Sequence, residues 1–199
     1  MSTETEKRVY RKRQRAEAEE QTRQRIAQAT MELHEEVGPA RTTFSGIAER
    51  AGVQRGTVYR HFPDEEALVA ACSAHWLSLN APPDPTPWAA IADPDERLRT
   101  ALDETYGWYE GTEAMVEKLY RDAPRVPAVA ERMQARAGMA EAMVELLMRG
   151  RGQRGARRKR VRAAIGHALA FQTWRSLARE QGLSRRQAVE LMTALVAAA

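Results

Sequence analysis

Apolar residues recur at intervals of three and four along most of the chain, which is the spacing of one face of an α-helix. Ile26, Ala29, Leu33 and Val37 follow this rule until Gly38 interrupts it. The sequence has no alternating apolar and polar stretches bounded by hairpin turns, which would indicate a sheet. The pattern therefore predicts an all-α protein whose first long helix covers residues 16–37.

Three shorter helices are predicted next. Thr43 is a good N-cap for a helix over residues 44–51, and Gly52 ends that helix because glycine adopts the left-handed conformation readily. A third helix runs from residue 54 or 55 to about residue 61. A fourth begins after Pro63 and Asp64 and continues to residue 79.

Five of the nine prolines lie between residues 81 and 94, so no long helix can cross this segment. We interpret it as the boundary of an N-terminal module. Beyond it, we expect helices near residues 94–110, 112–122, 127–149, 156–181 and 184–199. Glycines and prolines separate these helices, Gly111 among them, and the total is about nine helices.

Composition restricts the class of protein. The chain has 199 residues, of which 43% are hydrophobic and 29% charged, so it can bury a core without disulfides. Its one cysteine, Cys72, lies on an apolar stripe and is expected to pack as a small hydrophobic residue. No apolar run approaches the roughly 20 residues of a membrane helix, and no hydrophobic segment follows the charged N-terminus. These features predict a cytoplasmic protein with no membrane partner.

The net charge is +4, but the cations are unevenly distributed. Six cations fall within residues 7–15 without an intervening acid, and a second acid-free cluster covers residues 149–162. We expect the first cluster to form a basic arm. The second spans a glycine-rich break and is expected to be a solvated loop rather than a second nucleic-acid site.

Residues 44–62 read FSGIAERAGVQRGTVYRHF and fit two helices that cross at a tight turn. Ala48, Ala51 and Gly52 are small where the two backbones approach, and Ile47 and Val58 supply apolar contacts. This is the pattern of a helix-turn-helix, in which the second helix enters the major groove of DNA.

The longer pattern TxxxIAxxAGVxxGTVYxHF, from Thr43 to Phe62, closely resembles the DNA-binding signature of the TetR family of bacterial transcriptional repressors. The resemblance covers about the first 80 residues, and the rest of the chain has no comparable motif. It implies a DNA-facing surface formed by Gln54, Arg55, Gly56, Thr57, Tyr59, Arg60 and His61.

Chemistry assigns roles within this surface. Arg55 and Arg60 can each donate two hydrogen bonds to guanine, and Gln54 suits adenine. Gly56 lets the helix backbone approach the duplex closely. Short donors suit phosphate oxygens, which position the helix without reading sequence. The residues with such donors are Thr43, Thr57, Tyr59 and His61.

The fourth helix departs from the family pattern. The family often has a lysine that meets a phosphate near its start, and this chain has Glu65 there. We therefore expect the basic arm to compensate by lying along a phosphate strand or reaching into the minor groove. The expected organisation is a flexible arm (1–15), a three-helix DNA-binding domain (16–62) and a C-terminal ligand-binding and dimerisation domain (63–199).

Aromatic residues and methionines concentrate in the C-terminal part. At helical spacing such residues are usually core, but the resemblance implies an effector site there, and small-molecule pockets are apolar with few polar groups. The effector is expected to be small and apolar or aromatic. The predicted pocket residues are Tyr106, Tyr109, Tyr120, Met143, Phe171 and Trp174, with His167 or Gln172 as the polar partner.

The last two predicted helices carry apolar positions over residues 161–172 and 189–196. Such a pair from each of two subunits would form a four-helix bundle, and the resemblance favours this homodimer over packing within one chain alone. Two-fold symmetry would set the recognition helices about 34–36 Å apart.

Together these features predict a ligand-responsive dimeric repressor that binds a palindromic DNA operator and leaves it when a small apolar effector binds. Two alternatives remain: an activator or ligand-blind regulator, and a helical ligand-binding or enzymatic domain with a vestigial helix-turn-helix. No catalytic residue, metal site or cofactor is predicted. The four histidines lack paired metal-ligand spacing, and Cys72 lacks an activating base.

Overall fold

The computed structural model describes residues 2–199, with side chains from Glu6 onward. These residues form nine α-helices and no strand, which confirms the predicted all-α class. Within the same range, no helix is both long and apolar enough to cross a bilayer. The helices are α1 (Ser2–Glu36), α2 (Phe44–Ala51), α3 (Arg55–His61), α4 (Glu65–Leu79), α5 (Pro94–Asp122), α6 (Pro127–Met148), α7 (Gly155–Ala168), α8 (Phe171–Arg175) and α9 (Arg185–Ala198).

The chain folds as two compact units. Unit one comprises residues up to 80 and residues 117–130, and unit two comprises residues 81–116 and 131–199. The chain passes from unit one to unit two between residues 80 and 81, where the proline-rich segment begins. The predicted division at 62/63 differs from this arrangement, because α4 belongs to unit one, where Leu68 packs in its core.

The core of unit one is built by α1, α2, α3 and α4. Thr43 caps α2 by accepting a hydrogen bond from the amide of Gly46 at 3.1 Å, and Gly52 ends α2 with a φ of 65°. This left-handed turn sends the chain directly into α3. The apolar residues that meet between the four helices are Ile26, Ala29, Ile47, Ala48, Ala51, Val58, Phe62 and Leu68.

Helix α1 is much longer than predicted. It begins at Ser2 rather than near residue 16, so the predicted flexible arm is helical over its described residues, and Met1 lies outside them. Residues 2–36 contain no proline or glycine, and Arg13 and Glu17 form an ion pair one turn apart at 2.8 Å. The apolar pattern marks only the part of α1 that is buried, which is why it misplaced the start.

Two further expectations about helix ends are wrong. Gly111 does not break α5, because one glycine lowers helix stability only slightly and α5 is 29 residues long. The helix predicted over 156–181 ends at Ala168 and restarts at Phe171, and a π-helical segment, Ser176–Glu180, continues it. The hydroxyls of Tyr106 and Tyr109 donate to the carbonyls of Ala168 and Leu169, both at 2.8 Å, which satisfies acceptors at the break.

Candidate nucleic-acid interface and ligand cavity

Helix α3 is buried on one face and exposed on the other. Val58 and Phe62, four residues apart on one face, are both 0% exposed. Arg55, Tyr59 and Arg60 lie on the opposite side and are exposed. The core therefore fixes α3 while its polar face remains open to a partner.

The exposed face is itself ordered by side-chain contacts. The rings of Phe44 and Tyr59 stack with centroids 4.6 Å apart and planes 3° from parallel. Arg55 donates from Nη2 to the hydroxyl of Tyr59 at 2.9 Å, and its guanidinium lies 5.4 Å from the centre of that ring. These contacts restrict the Arg55 side chain before any ligand arrives and leave its other N–H groups available.

The remaining predicted residues flank this face. Thr43 is exposed, and its hydroxyl keeps its own hydrogen for donation because the capping bond uses it as an acceptor. Gln54 is the N-cap residue of α3 but makes no side-chain capping bond, so its amide is not used by the helix. Gly56 is exposed, and a Cβ added there would meet nothing within 4 Å. Thr57 is half-buried.

His61 is placed differently from the other predicted residues. Its Nε2 atom is buried and has no hydrogen-bond partner within the described structure. Its carbonyl accepts a hydrogen bond from Arg23 of α1 at 2.8 Å, and the Arg23 guanidinium lies 4.3 Å from the ring centre of Phe62. These contacts hold the end of α3 against α1, so His61 lies at a helix junction as well as beside the exposed face.

Unit two contains a cavity of about 540 Å³. Its walls come from the proline-rich segment at 82–89, from α5 and from the second half of α6. Trp108 and Tyr109 line it from α5, and Met139, Met143 and Leu146 line it from α6. The volume lies within the range of about 300–1,000 Å³ that is typical of small-molecule sites.

The cavity contains few of the predicted pocket residues. Tyr109 and Met143 line it. Tyr106, Phe171 and Trp174 instead belong to the core of unit two, at 0%, 2% and 0% exposure. Large aromatic side chains on a buried helix face fill the core first, and burial also raises the pKa of the Tyr106 phenol.

The other three predicted pocket residues lie elsewhere. Tyr120 belongs to unit one and is 43% exposed. Gln172 is exposed on α8, and His167 is exposed on α7 with its ring near the hydroxyl of Thr173. None of the three lines the cavity of unit two.

Sequence reasoning missed eleven of the thirteen residues that line this cavity, among them the polar Thr105 and Arg149, and it also missed the buried arginine that supports the end of α6. Thr105 lines it from α5, and Arg149 lines it just beyond the end of α6. Arg97 is 5% exposed and donates from Nη1 to the carbonyls of Leu146 and Arg149 at 3.2 and 2.8 Å, which fixes the end of α6. A polar residue among the apolar positions of α5 is the signal that could have identified Thr105.

A buried histidine of unit one is not part of either site. His34 is 6% exposed, with its Nδ1 atom 3.7 Å from Sγ of Cys72. Burial lowers the pKa of His34 to about 4, although the charge of Asp122 opposes that shift, and burial raises the pKa of Cys72 to about 12. Cys72 is therefore a protonated, packed thiol rather than a nucleophile. Across residues 2–199, no group of three or more His, Cys, Asp or Glu side chains is arranged to hold a metal ion.

Comparison with known proteins identifies relatives of unit one. Residues 26–72 match the sequence model of "Bacterial regulatory proteins, tetR family". The chain is 44% identical over 72 residues to the HTH-type transcriptional regulator SrpR of Pseudomonas putida, which covers 35% of this chain and 33% of SrpR. It is 32% identical over 119 residues to the HTH-type transcriptional repressor KstR of Mycobacterium tuberculosis, which covers 59% of this chain and 47% of KstR. The chain thus spans less than half the length of these two curated relatives.

Solved structures resemble the whole fold. A TetR-like transcriptional regulator from Rhodococcus matches 88% of this chain and 93% of its own, with a TM-score of 0.63 and 20% identity. NalD, the secondary repressor of the MexAB-OprM multidrug efflux pump in Pseudomonas aeruginosa, matches 92% of this chain and 96% of its own, with a TM-score of 0.59 and 22% identity. At these identities the likeness shows the fold alone.

Proposed function

We propose that the chain is a transcriptional regulator of the TetR family, as the match of residues 26–72 and the similarity to SrpR support. In this proposal it is a dimeric repressor whose α3 reads a palindromic operator and whose unit two binds a small effector. The exposed polar face of α3 carries this proposal. A short helix with Arg55, Tyr59 and Arg60 on its open side and a fixed apolar side has the form of a recognition helix. The name of KstR, a transcriptional repressor, supports the sign of regulation.

Arg55 and Arg60 differ in how their side chains are held before DNA binds. Arg60 is exposed and has no hydrogen-bond or ion-pair partner in the described chain, so its planar guanidinium is available for a guanine edge. Arg55 is already held by Tyr59, which lowers the entropy lost when it binds. Thr43 and Tyr59 supply hydroxyls for phosphates on either side.

The helical extension of α1 adds a second contact with DNA. At about 100° per residue, five of its six cations fall within an arc of about 140° on one side of the helix. When this arc is extended along α1, it covers the side that carries the buried Ile26 and Ala29. Arg23, which contacts the end of α3, lies next to the same side. The cationic face therefore points toward the side of α1 where α3 lies, and it suits a phosphate strand. Its residues are Lys7, Arg8, Arg11, Lys12 and Arg15.

The dimer is proposed to form through α9 and its surroundings. Inside one chain, Val189, Met192 and Val196 of α9 are already buried. Leu191 and Leu195, one turn apart on another face of α9, remain 40% and 51% exposed. An exposed pair of leucines is an apolar surface that a second copy can cover. Leu195→Glu is expected to shift the mass measured by light scattering from dimer to monomer, whereas Leu79→Glu, at an exposed leucine outside α9, should leave it unchanged.

The experiment that tests DNA reading starts from selection of binding sites out of random duplexes, followed by mobility-shift titration at several salt concentrations. The selected sites are expected to be palindromic, and log affinity should fall steeply with log salt because phosphate binding releases counterions. Arg60→Ala should weaken the selected site by about 1–3 kcal/mol and relax its sequence preference. Arg99→Ala, at an exposed arginine of α5 outside α9 and the DNA-facing residues, is the matched control and should change neither the affinity nor the sequence preference.

The results would separate the alternatives. Absent or salt-indifferent DNA binding would leave the vestigial helix-turn-helix as the better description. An equal loss on every sequence for Arg60→Ala would assign this side chain to phosphates. Higher expression of the neighbouring genes in the presence of the bound protein would identify an activator.

The cationic face of α1 is tested with two single substitutions. Arg11→Gln should reduce the slope of log affinity against log salt by about 0.9, the value for one lost phosphate contact. Arg13→Gln removes the same charge from the opposite side, where Arg13 pairs with Glu17, and should leave the slope nearly unchanged. Equal changes for both variants would contradict a directed face.

A further inference from the structure

The cavity of unit two has an asymmetric distribution of charge. Most of its wall is apolar and comes from prolines, Trp108, Tyr109 and the methionines of α6. Among the described residues that line it, Arg149 is the one charged side chain, and no carboxylate faces the cavity. An apolar ligand with a negative group would therefore meet a cation and no opposing charge.

Arg149 is held in place through its main chain. Its carbonyl accepts the hydrogen bond from the buried Arg97, whose other hydrogen bonds go to carbonyls of Ile91, Ala92 and Leu146. The main chain of Arg149 is thus fixed while its side chain remains exposed at the cavity. All of these hydrogen bonds go to carbonyl oxygens, and Arg97 forms no ion pair with a carboxylate among the side chains that the structure describes.

Thr105 supplies a separate sign that the cavity accepts a ligand. The residue lines the cavity and is 5% exposed. Its Oγ1 atom is buried and has no hydrogen-bond partner within the described chain. A buried hydroxyl without a partner destabilises a folded protein, and a polar atom of a bound molecule would supply the missing partner.

We propose that the cavity binds an anionic amphiphile, with its apolar body against α5, α6 and the proline-rich segment and its carboxylate or similar anion at Arg149. The inference rests on the proposed function only for its consequence, release of DNA. Binding itself depends on unit two alone. It narrows the effector class from apolar compounds in general to those with one negative end.

The test uses the neutral fluorescent probe N-phenyl-1-naphthylamine as a reporter of the cavity, displaced by decanoate, decanol or decylammonium in the absence of DNA. The three competitors share a tail and differ in the charge of the head group. Decanoate is expected to displace the probe at about a tenfold lower concentration than decanol, as a charge-assisted hydrogen bond would give, and decylammonium should be weakest.

Two substitutions at Arg149 and one nearby control sharpen the result. Arg149→Gln should bring decanoate and decanol within about twofold of each other, and Arg149→Glu should reverse the order of decanoate and decylammonium. Arg154→Gln removes a charge from the same basic cluster outside the cavity lining and should leave the wild-type order intact. Circular dichroism spectra identical to that of the wild type show that the variants fold.

Three outcomes would overturn the proposal: no binding of the probe, equal displacement by all three competitors, or an unchanged decanoate advantage in Arg149→Gln. DNA binding is measured separately by mobility shift. Selective decanoate binding that leaves the DNA complex intact would support the anionic site and contradict the effector role in the proposed function.

Discussion

Unit one presents Arg55, Tyr59 and Arg60 on one helix of seven residues, whereas unit two assembles its cavity from three segments that are distant in sequence. The side chains of α3 that are proposed to read DNA point outward, so they need a buried face that fixes the helix and an outer face that packing leaves free. The cavity is concave, so each wall must stop short of filling it. Buried Arg97 and the tyrosine hydroxyls of α5 fix where the helices of unit two end. The exposed face of α3 is therefore set by residues that are close in sequence, whereas the cavity depends on how several distant segments pack together.

The largest effect is expected from removing the buried side chain that supports α3. Phe62→Ala deletes a side chain that is 0% exposed in the core of unit one and should lower the free energy of unfolding by about 3–5 kcal/mol. Urea unfolding followed by circular dichroism measures the loss. DNA binding should disappear while the naphthylamine probe still binds unit two.

Tyr59→Phe is the control for this substitution. It keeps the stacking on Phe44 and removes only an exposed hydroxyl, so stability should change by less than about 1 kcal/mol. A comparable loss in both variants would show that the outer face of α3, not its core face, holds the helix.

A smaller loss of stability is expected at acidic pH, because of the buried His34 of unit one. His34 has a pKa of about 4 in the folded chain against 6.5 in the unfolded chain, so the unfolded state takes up a proton first as the pH falls. The stability tied to neutral His34 is complete above pH 6.5 and decreases toward pH 4. By pH 5 the loss should be about 2 kcal/mol relative to pH 7.

Urea midpoints between pH 7 and pH 5 measure this effect. His34→Leu removes the titrating group and should flatten the dependence by about the same amount. Equal pH slopes in the wild type and the variant would contradict a buried, neutral His34.

Removing the unpaired hydroxyl of Thr105 should stabilise the ligand-free protein. Valine has the same shape, so Thr105→Val eliminates the buried polar atom without opening a hole and should raise the free energy of unfolding by about 1 kcal/mol. Thr112→Val is the matched control on the same helix. The Thr112 hydroxyl donates to the carbonyl of Trp108 at 2.7 Å, so its loss should be neutral or destabilising. The reverse order in thermal unfolding would show that Thr105 has a partner in solution.

The smallest changes in stability are expected at two helical glycines that have free space around them. A Cβ added at Gly111 or Gly56 would meet nothing within 4 Å. Gly111→Ala in the interior of α5 should stabilise the chain by about 0.5–1 kcal/mol, because alanine loses less backbone entropy than glycine. Gly56→Ala should not destabilise the protein either but should weaken DNA binding if the backbone of α3 lies against the duplex. Unchanged DNA affinity for Gly56→Ala would show that the backbone of α3 does not lie against the duplex at this position.

Local signals predicted the helix-turn-helix closely. Thr43 and Gly52 fix the ends of α2 through hydrogen-bonding and backbone preferences that need no partner far along the chain. These local signals failed where contacts with residues far along the chain determine the end of a helix. Nothing near Ala168 in sequence announces that hydroxyls of α5 will satisfy the carbonyls at the break before α8.

The order of residues sufficed to predict the helical class, the turn between α2 and α3 and the exposure of Arg55, Tyr59 and Arg60, because each follows from spacing and capping within a few residues. It did not predict that Thr57 is half-buried or that the Nε2 atom of His61 is buried. Long-range packing sets which aromatic side chains fill the core, where the cavity stays open and that Arg149 and Thr105 border it. A cavity is the volume left after packing, so its position depends on all the surrounding elements at once.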